Sequence, residues 1–350
     1  FVHGTTLATN AVIERKGART ALIATHGFRD VIEIADESRY DQYDVFIDKP
    51  RQLVPRQLRF TVPERIDVTG KVWVDLDEAA VRKVAKALKA EKVEAVAVAF
   101  IHSYANSVHE ERVREIFAKD APDIAVTLSS EVCPEMREYE RTSTAVANAY
   151  VQPLMAGYLG RLKARFAAEG YNRPIHLMTS GGSLATLETA ARFPIRLVES
   201  GPAGGAILAA YIAAERGEDK VLSFDMGGTT AKICLIHDAT PYKARTFEVD
   251  RQSRFMKGSG LPVRIPVIEM VEIGAGGGSI ARVDALKRIT VGPDSAGSVP
   301  GPACYGRGGE LPTVTDADVA LGKIEPVRFA GGAIKLFPEK ADAALDASVG

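Results

Sequence analysis

The chain has 350 residues, a formal net charge of −1, 46% hydrophobic residues and 25% charged residues. This composition is ordinary for a globular protein, and the length allows two domains. A net charge near zero gives no reason to expect a nucleic acid or an anionic membrane as partner. No apolar run approaches the ~18–20 residues that a membrane span needs.

The cysteines indicate the compartment. Cys133, Cys234 and Cys304 have no CxxC spacing and are odd in number, which argues against a disulfide framework or a structural zinc site. We therefore expect a reducing, cytoplasmic location. Because the chain begins at Phe1, inside a segment with a structured pattern, we also expect a fragment of a longer protein, with no signal peptide to read.

The first half of the chain alternates strand and helix patterns. Residues 21–25 and the continuous apolar run 93–100 are typical of buried strands, the second one parallel. Ser107 and Glu110 have capping-box spacing and predict a helix start. Residues 139–169 predict a long helix that Pro153 kinks or divides. This alternation indicates an α/β first domain.

Two polar features of this half are open to two interpretations. Thr5 and Thr6 stand where a strand turns into a helix, so they could face a phosphate or only cap the helix. The charged segment 27–50, which includes Arg29, could line a substrate cleft or form a solvated surface loop.

The most informative stretch covers residues 195–236. We predict a short strand at 195–198, a small-residue helix at 202–215, a buried strand at 220–224 and a returning hairpin strand at 231–236. Glu199 follows the first strand, and Asp225-Met-Gly-Gly-Thr-Thr230 forms the hairpin loop.

The hairpin loop has the chemistry of a phosphate site. Gly227 and Gly228 let the backbone approach a ligand, two threonines offer hydroxyls, and Asp225 offers a hard oxygen ligand for Mg²⁺. An ordinary Gly-Gly hairpin is the alternative for the loop alone. The whole order of elements resembles the linker and second phosphate loop of the actin-like ATPase superfamily, in which the residue at the Glu199 position helps orient the attacking water.

Two glycine-rich loops follow. Residues 274–279 contain four glycines but no Walker lysine, so they fit neither a P-loop nor a Rossmann motif, although they permit close approach to a ligand. A long Gly/Pro-rich loop, residues 292–306, leads to a helix opening near Asp316. Cys304 lacks a recognisable Cys/His pattern and is a weak candidate for a nucleophile.

Nearly the whole chain resembles the ATP-binding subunit of the hydantoinase A/5-oxoprolinase family. The stretches that carry this resemblance are HGTTLATNAVIERKGARTALIATHGFRDV, REYERTSTAVANAYVQPLM, RLVESGPAGGA, LSFDMGGTTAK, VEIGAGGGSIA, GPACYGRGG and PTVTDADVALG. The resemblance implies an α/β, actin-like (ribonuclease H-like) two-domain fold, here truncated at both ends. It divides the chain into a first domain, residues 1–200, and a second domain, residues 201–350.

The resemblance also implies an activity: ATP-dependent hydrolysis of a cyclic amide or imide such as a hydantoin, 5-oxoproline or a lactam, by phosphoryl activation of the ring amide. ATP and Mg²⁺ are the implied cofactors, and a K⁺ requirement is left open. The implied partner is a hydantoinase B-type subunit or domain, in a hetero-oligomer without nucleic acid or membrane.

The implied site residues fall into three groups. Glu199 and Asp225 are catalytic, with Asp225 also the metal ligand. The residues implied to bind ATP are Gly227, Gly228, Thr229, Thr230, Gly274, Gly276, Gly277, Gly278 and Ser279. The candidate substrate residues are Thr5, Arg29, Tyr305 and Asp316.

Two departures from the family pattern matter. The family begins with an N-terminal Asp-x-Gly-Gly-Thr hairpin and continues into a Gly-rich adenosine-binding region, and neither is found here. We therefore expect this chain alone to bind ATP weakly or not at all and to be inactive. The runner-up function is a subunit of the acetone carboxylase type, which phosphorylates a ketone or bicarbonate, and a non-enzymatic actin-like nucleotide switch is the alternative of another class.

Overall fold

The computed structural model describes residues 1–37, 39–253 and 256–349. The helices of these residues are α1 Leu7–Ile13, α2 Val31–Ile34, α3 Glu78–Ala90, α4 Val108–Asp120, α5 Ser129–Val132, α6 Glu138–Ala168, α7 Leu187–Arg192, α8 Ser200–Arg216, α9 Val314–Ala320 and α10 Pro338–Ser348. The strands are β1 Val2–His3, β2 Thr20–Thr25, β3 Arg59–Val62, β4 Arg65–Ile66, β5 Val72–Val74, β6 Ala95–Ala99, β7 Ala125–Leu128, β8 His176–Met178, β9 Leu184–Thr186, β10 Lys220–Met226, β11 Ala231–His237, β12 Thr240–Pro241, β13 Lys243–Ala244, β14 Phe247–Val249, β15 Leu261–Val263, β16 Val267–Ile268, β17 Val271–Ile273, β18 Ser279–Val283 and β19 Ile289–Ser295.

The chain packs as two compact units. The first contains Phe1–Gly204 and Lys243–Ile268, and the second contains Gly205–Tyr242 and Glu269–Gly350. The predicted domains, residues 1–200 and 201–350, stay a prediction, since packing units need not coincide with domains of a family. None of the helices in the described ranges has both the length and the apolar character that a membrane crossing needs.

The first unit is built on a four-stranded parallel sheet in the order β3-β2-β6-β7. Strands β2 and β6 are buried at every position, as the continuous apolar run predicted for β6. Helix α6 packs against β6 and β7, and α3 packs against α4. One hydrophobic core therefore joins the sheet, the helices and the strands near Val249 and Leu261.

Local sequence explains the start of α3 but not that of α4. Asp77 caps α3, since its carboxylate accepts a hydrogen bond from the backbone N–H of Ala80 at 2.9 Å. The predicted capping box at Ser107 is wrong, because Ser107 Oγ donates to Glu111 instead. The carboxylate of Glu110 is fully buried and accepts a hydrogen bond from the backbone N–H of Phe100, just after β6. It is therefore not available to cap the start of α4.

Two further predictions are corrected. The predicted division at Pro153 is wrong, because Pro153 lies inside α6, which runs for 31 residues without a break. Burial of residues 141–151, and of Met155 and Leu159 beyond the proline, stabilises the helix despite the missing hydrogen bond. The strand predicted at 195–198 is a 3-10 helix, Pro194–Leu197. Pro194 at its first position fixes a helical φ, and a short apolar run does not distinguish a strand from a buried turn.

The second unit contains a four-stranded antiparallel sheet, β10-β11-β12 with β17 paired to β11, and a separate ladder of β18 and β19. The hairpin of β10 and β11 is confirmed, but β10 is not buried, and Leu222 and Phe224 are both more than half exposed. Apolar spacing identifies which side chains share a face, and it does not tell whether another layer covers them. A smaller core forms where α9 and α10 meet around Cys304 and Leu336.

Candidate functional site

The Asp225 loop lies at the tip of an antiparallel hairpin. Met226 and Ala231 are the last paired residues of β10 and β11, so the chain turns over four residues, 227–230. The backbone N–H of Gly227 donates to the carbonyl of Thr230 at 2.9 Å and closes this turn. The sequence prediction of a hairpin with a glycine turn is thus confirmed at the level of the backbone.

The second glycine-rich loop, residues 274–279, is bound directly to this turn. The N–H groups of Gly277 and Gly278 donate to the carbonyls of Gly227 and Gly228 at 2.9 and 2.8 Å. A Cβ at Gly276 would stand 2.6 Å from the backbone nitrogen of Thr229, which is closer than any side chain tolerates. The two loops, which are about 50 residues apart in the chain, therefore form one structure, and glycine at position 276 is needed for it.

The same contacts leave a set of polar groups available. The N–H groups of Gly228, Thr229 and Thr230 donate to no backbone acceptor among the described residues, and this stretch is largely exposed. Within the same residues, the carboxylate of Asp225 makes no hydrogen bond or ion pair, and it is exposed as well. Free N–H groups beside a free carboxylate fit a phosphate group and its Mg²⁺ ion, respectively.

Lys232 is a further candidate residue that the sequence motifs did not indicate. Cross-strand pairing places it directly opposite Asp225 on β10 and directly opposite Glu272 on β17. Burial lowers the pKa of Lys232, and the nearby carboxylate of Glu272 opposes this shift. A cation thus lies on the same sheet face as the metal-ligand candidate, and counting the hairpin register outward from the four-residue turn would have found it.

In the first unit, Glu199 has a left-handed backbone. Its φ is +60°, which is unfavourable for a residue with a side chain, and such strain is often found at functional sites. The backbone N–H of Glu199 donates to Thr9 Oγ1 at 3.4 Å. Ser200 Oγ donates to the Thr5 carbonyl at 3.2 Å, so the backbone of Thr5 is bound to the residue that follows Glu199.

The hydrogen bonds around Thr5 favour one of the two interpretations, a role at the start of the helix. Its Oγ1 accepts a hydrogen bond from the N–H of Leu7 at 3.2 Å, whereas Thr6 makes no side-chain cap on α1. The hydroxyl of Thr5 therefore serves the first turn of the helix. Its backbone, held by Ser200, positions the segment that carries Glu199.

Asp316 is buried and its hydrogen bonds are structural. The carboxylate accepts from the N–H groups of Thr313, Ala303 and Cys304 and from the Thr313 hydroxyl, at 2.7 to 3.2 Å. It completes a capping box on α9 and ties the Gly/Pro-rich loop to that helix. Tyr305, from the same loop, packs against Phe329, with ring centroids 5.7 Å apart. Through these contacts, Asp316 and Tyr305 both stabilise the Gly/Pro-rich loop.

Arg29 lines a cavity of about 760 Å³ that is formed entirely by the first unit. Its guanidinium lies 3.8 Å from the carboxylate of Asp30, which Arg56 also binds at 3.0 Å. The cavity wall contains part of the polar segment 27–50 and the first turn of α6. For this part of the segment, the interpretation as a cleft lining fits the structure.

Comparison with known families identifies the chain. A hydantoinase/oxoprolinase model matches residues 141–349, and a hydantoinase/oxoprolinase N-terminal region model matches residues 1–120. An uncharacterised protein of Methanocaldococcus jannaschii, MJ0964, is 42% identical over 99% of this chain and 52% of its own length. The alpha subunit of caprolactamase from Pseudomonas jessenii is 38% identical over 99% of this chain and 48% of its own length.

Solved structures agree with these relatives. The ATP-dependent caprolactamase of Pseudomonas jessenii matches with a TM-score of 0.78 and 37% identity, over 98% of this chain and 49% of that chain. Nucleotide-free acetone carboxylase matches with a TM-score of 0.73 and 28% identity, over 99% of this chain and 49% of that chain. These similarities confirm the predicted α/β actin-like fold. The chain spans about half the length of the relatives it matches, and it belongs to the hydantoinase/oxoprolinase family.

Proposed function

We propose that the protein containing this chain hydrolyses a cyclic amide or imide in an ATP-dependent reaction. The observation that carries the proposal is the joined pair of glycine loops, which leaves the N–H groups of residues 228–230 and the Asp225 carboxylate free beside each other. An unstrained amide is a poor electrophile, and phosphorylation of its oxygen makes the ring carbon open to attack by water. ATP supplies that phosphoryl group.

Each of the candidate residues has a role in the proposed reaction. The N–H groups of Gly228, Thr229 and Thr230 bind phosphate oxygens, and Asp225 holds Mg²⁺ directly or through water. Lys232 adds positive charge near the phosphates, which favours charge that develops during phosphoryl transfer. Glu199, held in its left-handed conformation, orients the nucleophile.

The remaining parts of the proposal concern the whole protein. A hydantoinase B-type subunit or domain completes the enzyme, which is in line with a relative that is named as an alpha subunit. The K⁺ requirement stays open, and a cytoplasmic location stays a prediction that rests on the cysteine pattern. Since the chain spans about half of its relatives, we expect it to be inactive when expressed alone.

The second candidate is a carboxylase subunit, in which the same phosphoryl chemistry activates a ketone or bicarbonate. Acetone carboxylase favours it, since that structure matches 99% of this chain with a TM-score of 0.73. The two candidates differ in the acceptor of the phosphoryl group. They therefore differ in which small molecule stimulates ATP hydrolysis.

The test measures ADP release by the complete protein with its partner, against a panel of lactams, hydantoins, 5-oxoproline, acetone and no substrate. We expect stimulation by at least one ring. Asp225→Ala should abolish the stimulated rate, and Glu199→Gln should lower kcat by about 10²–10⁴-fold, the usual size of a lost acid–base contribution. Glu215→Gln, an exposed glutamate at the end of α8, is the matched control and should leave kcat unchanged.

The outcomes separate the candidates. Stimulation of ADP release by acetone, and by no ring, would favour the carboxylase subunit over the cyclic-amide hydrolase. Equal ADP release with and without every compound would leave the nucleotide switch, which needs no small substrate. Stimulation by a ring that survives Asp225→Ala would mean that the joined loops are not the phosphate site.

A further inference from the structure

Two cavities of the first unit meet at the start of α6. The first measures about 760 Å³ and the second about 580 Å³, both within the range of small-molecule sites. Ala35, Asp36, Tyr139 and Glu140 line both of them, so this group forms the shared wall. The second cavity also reaches the segment around Glu248, which the chain brings in from more than 100 residues away.

The hydroxyl of Tyr139 is a hydrogen-bond donor that the described residues leave unused. Its side chain is half-buried, and no described group accepts a hydrogen bond from the phenol. Burial, together with the nearby carboxylates of Asp36, Glu140 and Glu248, raises the pKa of Tyr139 to about 12. Tyr139 is therefore protonated at every physiological pH, and its hydroxyl has a hydrogen to donate to a ligand that offers an acceptor there.

The three carboxylates near Tyr139 are not equivalent. Glu140 lies 3.3 Å from the guanidinium of Arg264, and Glu248 lies 3.2 Å from that of Arg251, so both are neutralised. Asp36 makes no ion pair or side-chain hydrogen bond with any described residue. The shared wall thus presents one free donor, the phenol, and one free acceptor, a carboxylate.

A neutral ring that contains a secondary amide matches this pair. In a lactam the amide is cis, so its N–H and C=O point to the same side of the ring and can meet a neighbouring acceptor and donor together. We propose that the ring substrate binds at this wall, with its C=O accepting from Tyr139 and its N–H donating to Asp36. The inference rests on the proposed function, because it identifies the substrate class of that reaction as neutral rings with a free N–H.

The pair of Asp36 and Tyr139 binds two other classes of ligand less well. A ketone offers an acceptor to Tyr139 but no donor to Asp36, so it gains one hydrogen bond fewer than a lactam does. A ring with its own carboxylate, such as 5-oxoproline, is repelled by Asp36. The wall therefore favours a plain lactam or hydantoin over both.

Binding of three probes to the complete protein, measured by calorimetry without ATP, tests the inference. The probes are caprolactam, N-methylcaprolactam and 5-oxoproline. We expect caprolactam to bind about 10-fold more tightly than N-methylcaprolactam, the size of one lost charge-assisted hydrogen bond. Asp36→Ala should reduce this preference to near unity and improve the relative affinity of 5-oxoproline.

Tyr139→Phe should lower the affinity for caprolactam and for N-methylcaprolactam by the same factor, about 10-fold, because both molecules keep the C=O group. The matched controls are Asp123→Ala and Tyr211→Phe, both exposed, and both should leave all three affinities unchanged. A general loss of folding would weaken the binding of every probe, but it would not change the ratio of the affinities for caprolactam and N-methylcaprolactam.

An unchanged ratio in Asp36→Ala, with unchanged affinity in Tyr139→Phe, would overturn the inference. If a ring still stimulated ADP release in that case, the proposed function would stand and the ring would bind elsewhere. If the ratio changed but no ring stimulated ADP release, the wall would be confirmed as an amide site and the proposed function would fail.

Discussion

Gly276 lies against the backbone of Thr229, so that a Cβ at position 276 would stand 2.6 Å from the Thr229 nitrogen and 2.7 Å from the Gly227 carbonyl oxygen. The neighbours in this contact are backbone atoms, and no flexible side chain can move away to relieve it. The residue therefore determines how closely the two loops of the site approach each other.

Gly276→Ala should separate the two loops and lower substrate-stimulated ADP release by at least about 10-fold, since the N–H groups of residues 228–230 would no longer converge. Gly160→Ala is the matched control, because a Cβ there meets no atom within 4 Å on α6. The control should keep full activity and stabilise the helix by about 0.5–1 kcal/mol. Full activity in Gly276→Ala would show that the loops tolerate separation.

Cys304 is expected to be chemically inert. It is fully buried, and burial raises the pKa of its thiol, with a further increase from the carboxylate of Asp316. Cys304→Ser should keep kcat within about 2-fold, and iodoacetamide should not modify Cys304 in the native protein, as peptide mass spectrometry can check. Rapid alkylation under native conditions, together with loss of turnover, would contradict this prediction and indicate that the Cys304 thiol is a nucleophile.

Glu110 contributes to stability through a buried carboxylate. Its two oxygens accept hydrogen bonds from the N–H groups of Phe100 and Ser130 and from the hydroxyls of Ser129 and Ser130, at 2.7 to 2.9 Å. Glu110→Gln turns one acceptor into a donor against these donors and should cost about 2–3 kcal/mol of unfolding free energy in urea denaturation.

The next residue gives the matched control for this substitution. Glu111 is exposed, and among the described residues its carboxylate accepts a hydrogen bond only from Ser107 Oγ, so Glu111→Gln should change the unfolding free energy by less than about 0.5 kcal/mol. Equal losses for the two variants would mean that the buried network around Glu110 adds no stability beyond that of a surface carboxylate.

The stability of the first unit should depend on pH through Glu131. Burial alone would raise the pKa of this carboxyl, but hydrogen bonds and charge from Arg114 and Arg192 outweigh burial, so the pKa lies below its usual 4.5. A group with a depressed pKa in the folded state stabilises the fold above its unfolded pKa. This contribution is lost as the pH falls from about 4.5 through the folded-state value.

Glu131→Gln should accordingly cost about 1–2 kcal/mol at pH 7 and much less near pH 3, measured as denaturant midpoints across that range. Glu310→Gln, an exposed residue with no ion pair among the described residues, should show no pH-dependent difference from the unchanged protein. A loss at pH 3 as large as that at pH 7 would assign the effect to packing.

The sequence by itself determined the features that depend on residues close together in the chain. The strand and helix periods indicated an α/β protein, the residues after Asp225 indicated a hairpin with a glycine turn, and long motifs indicated the family. These inferences hold because backbone turns, helix caps and side-chain alternation are governed by neighbours a few positions away.

The tertiary structure decided which distant groups meet. It joined Gly276 to Thr229 and brought Asp36, Tyr139 and Glu248 around one pair of cavities. It also exposed β10, whose apolar spacing suggested burial. Contacts between segments 50 to more than 200 residues apart depend on how whole elements pack, and local spacing carries no information on that packing.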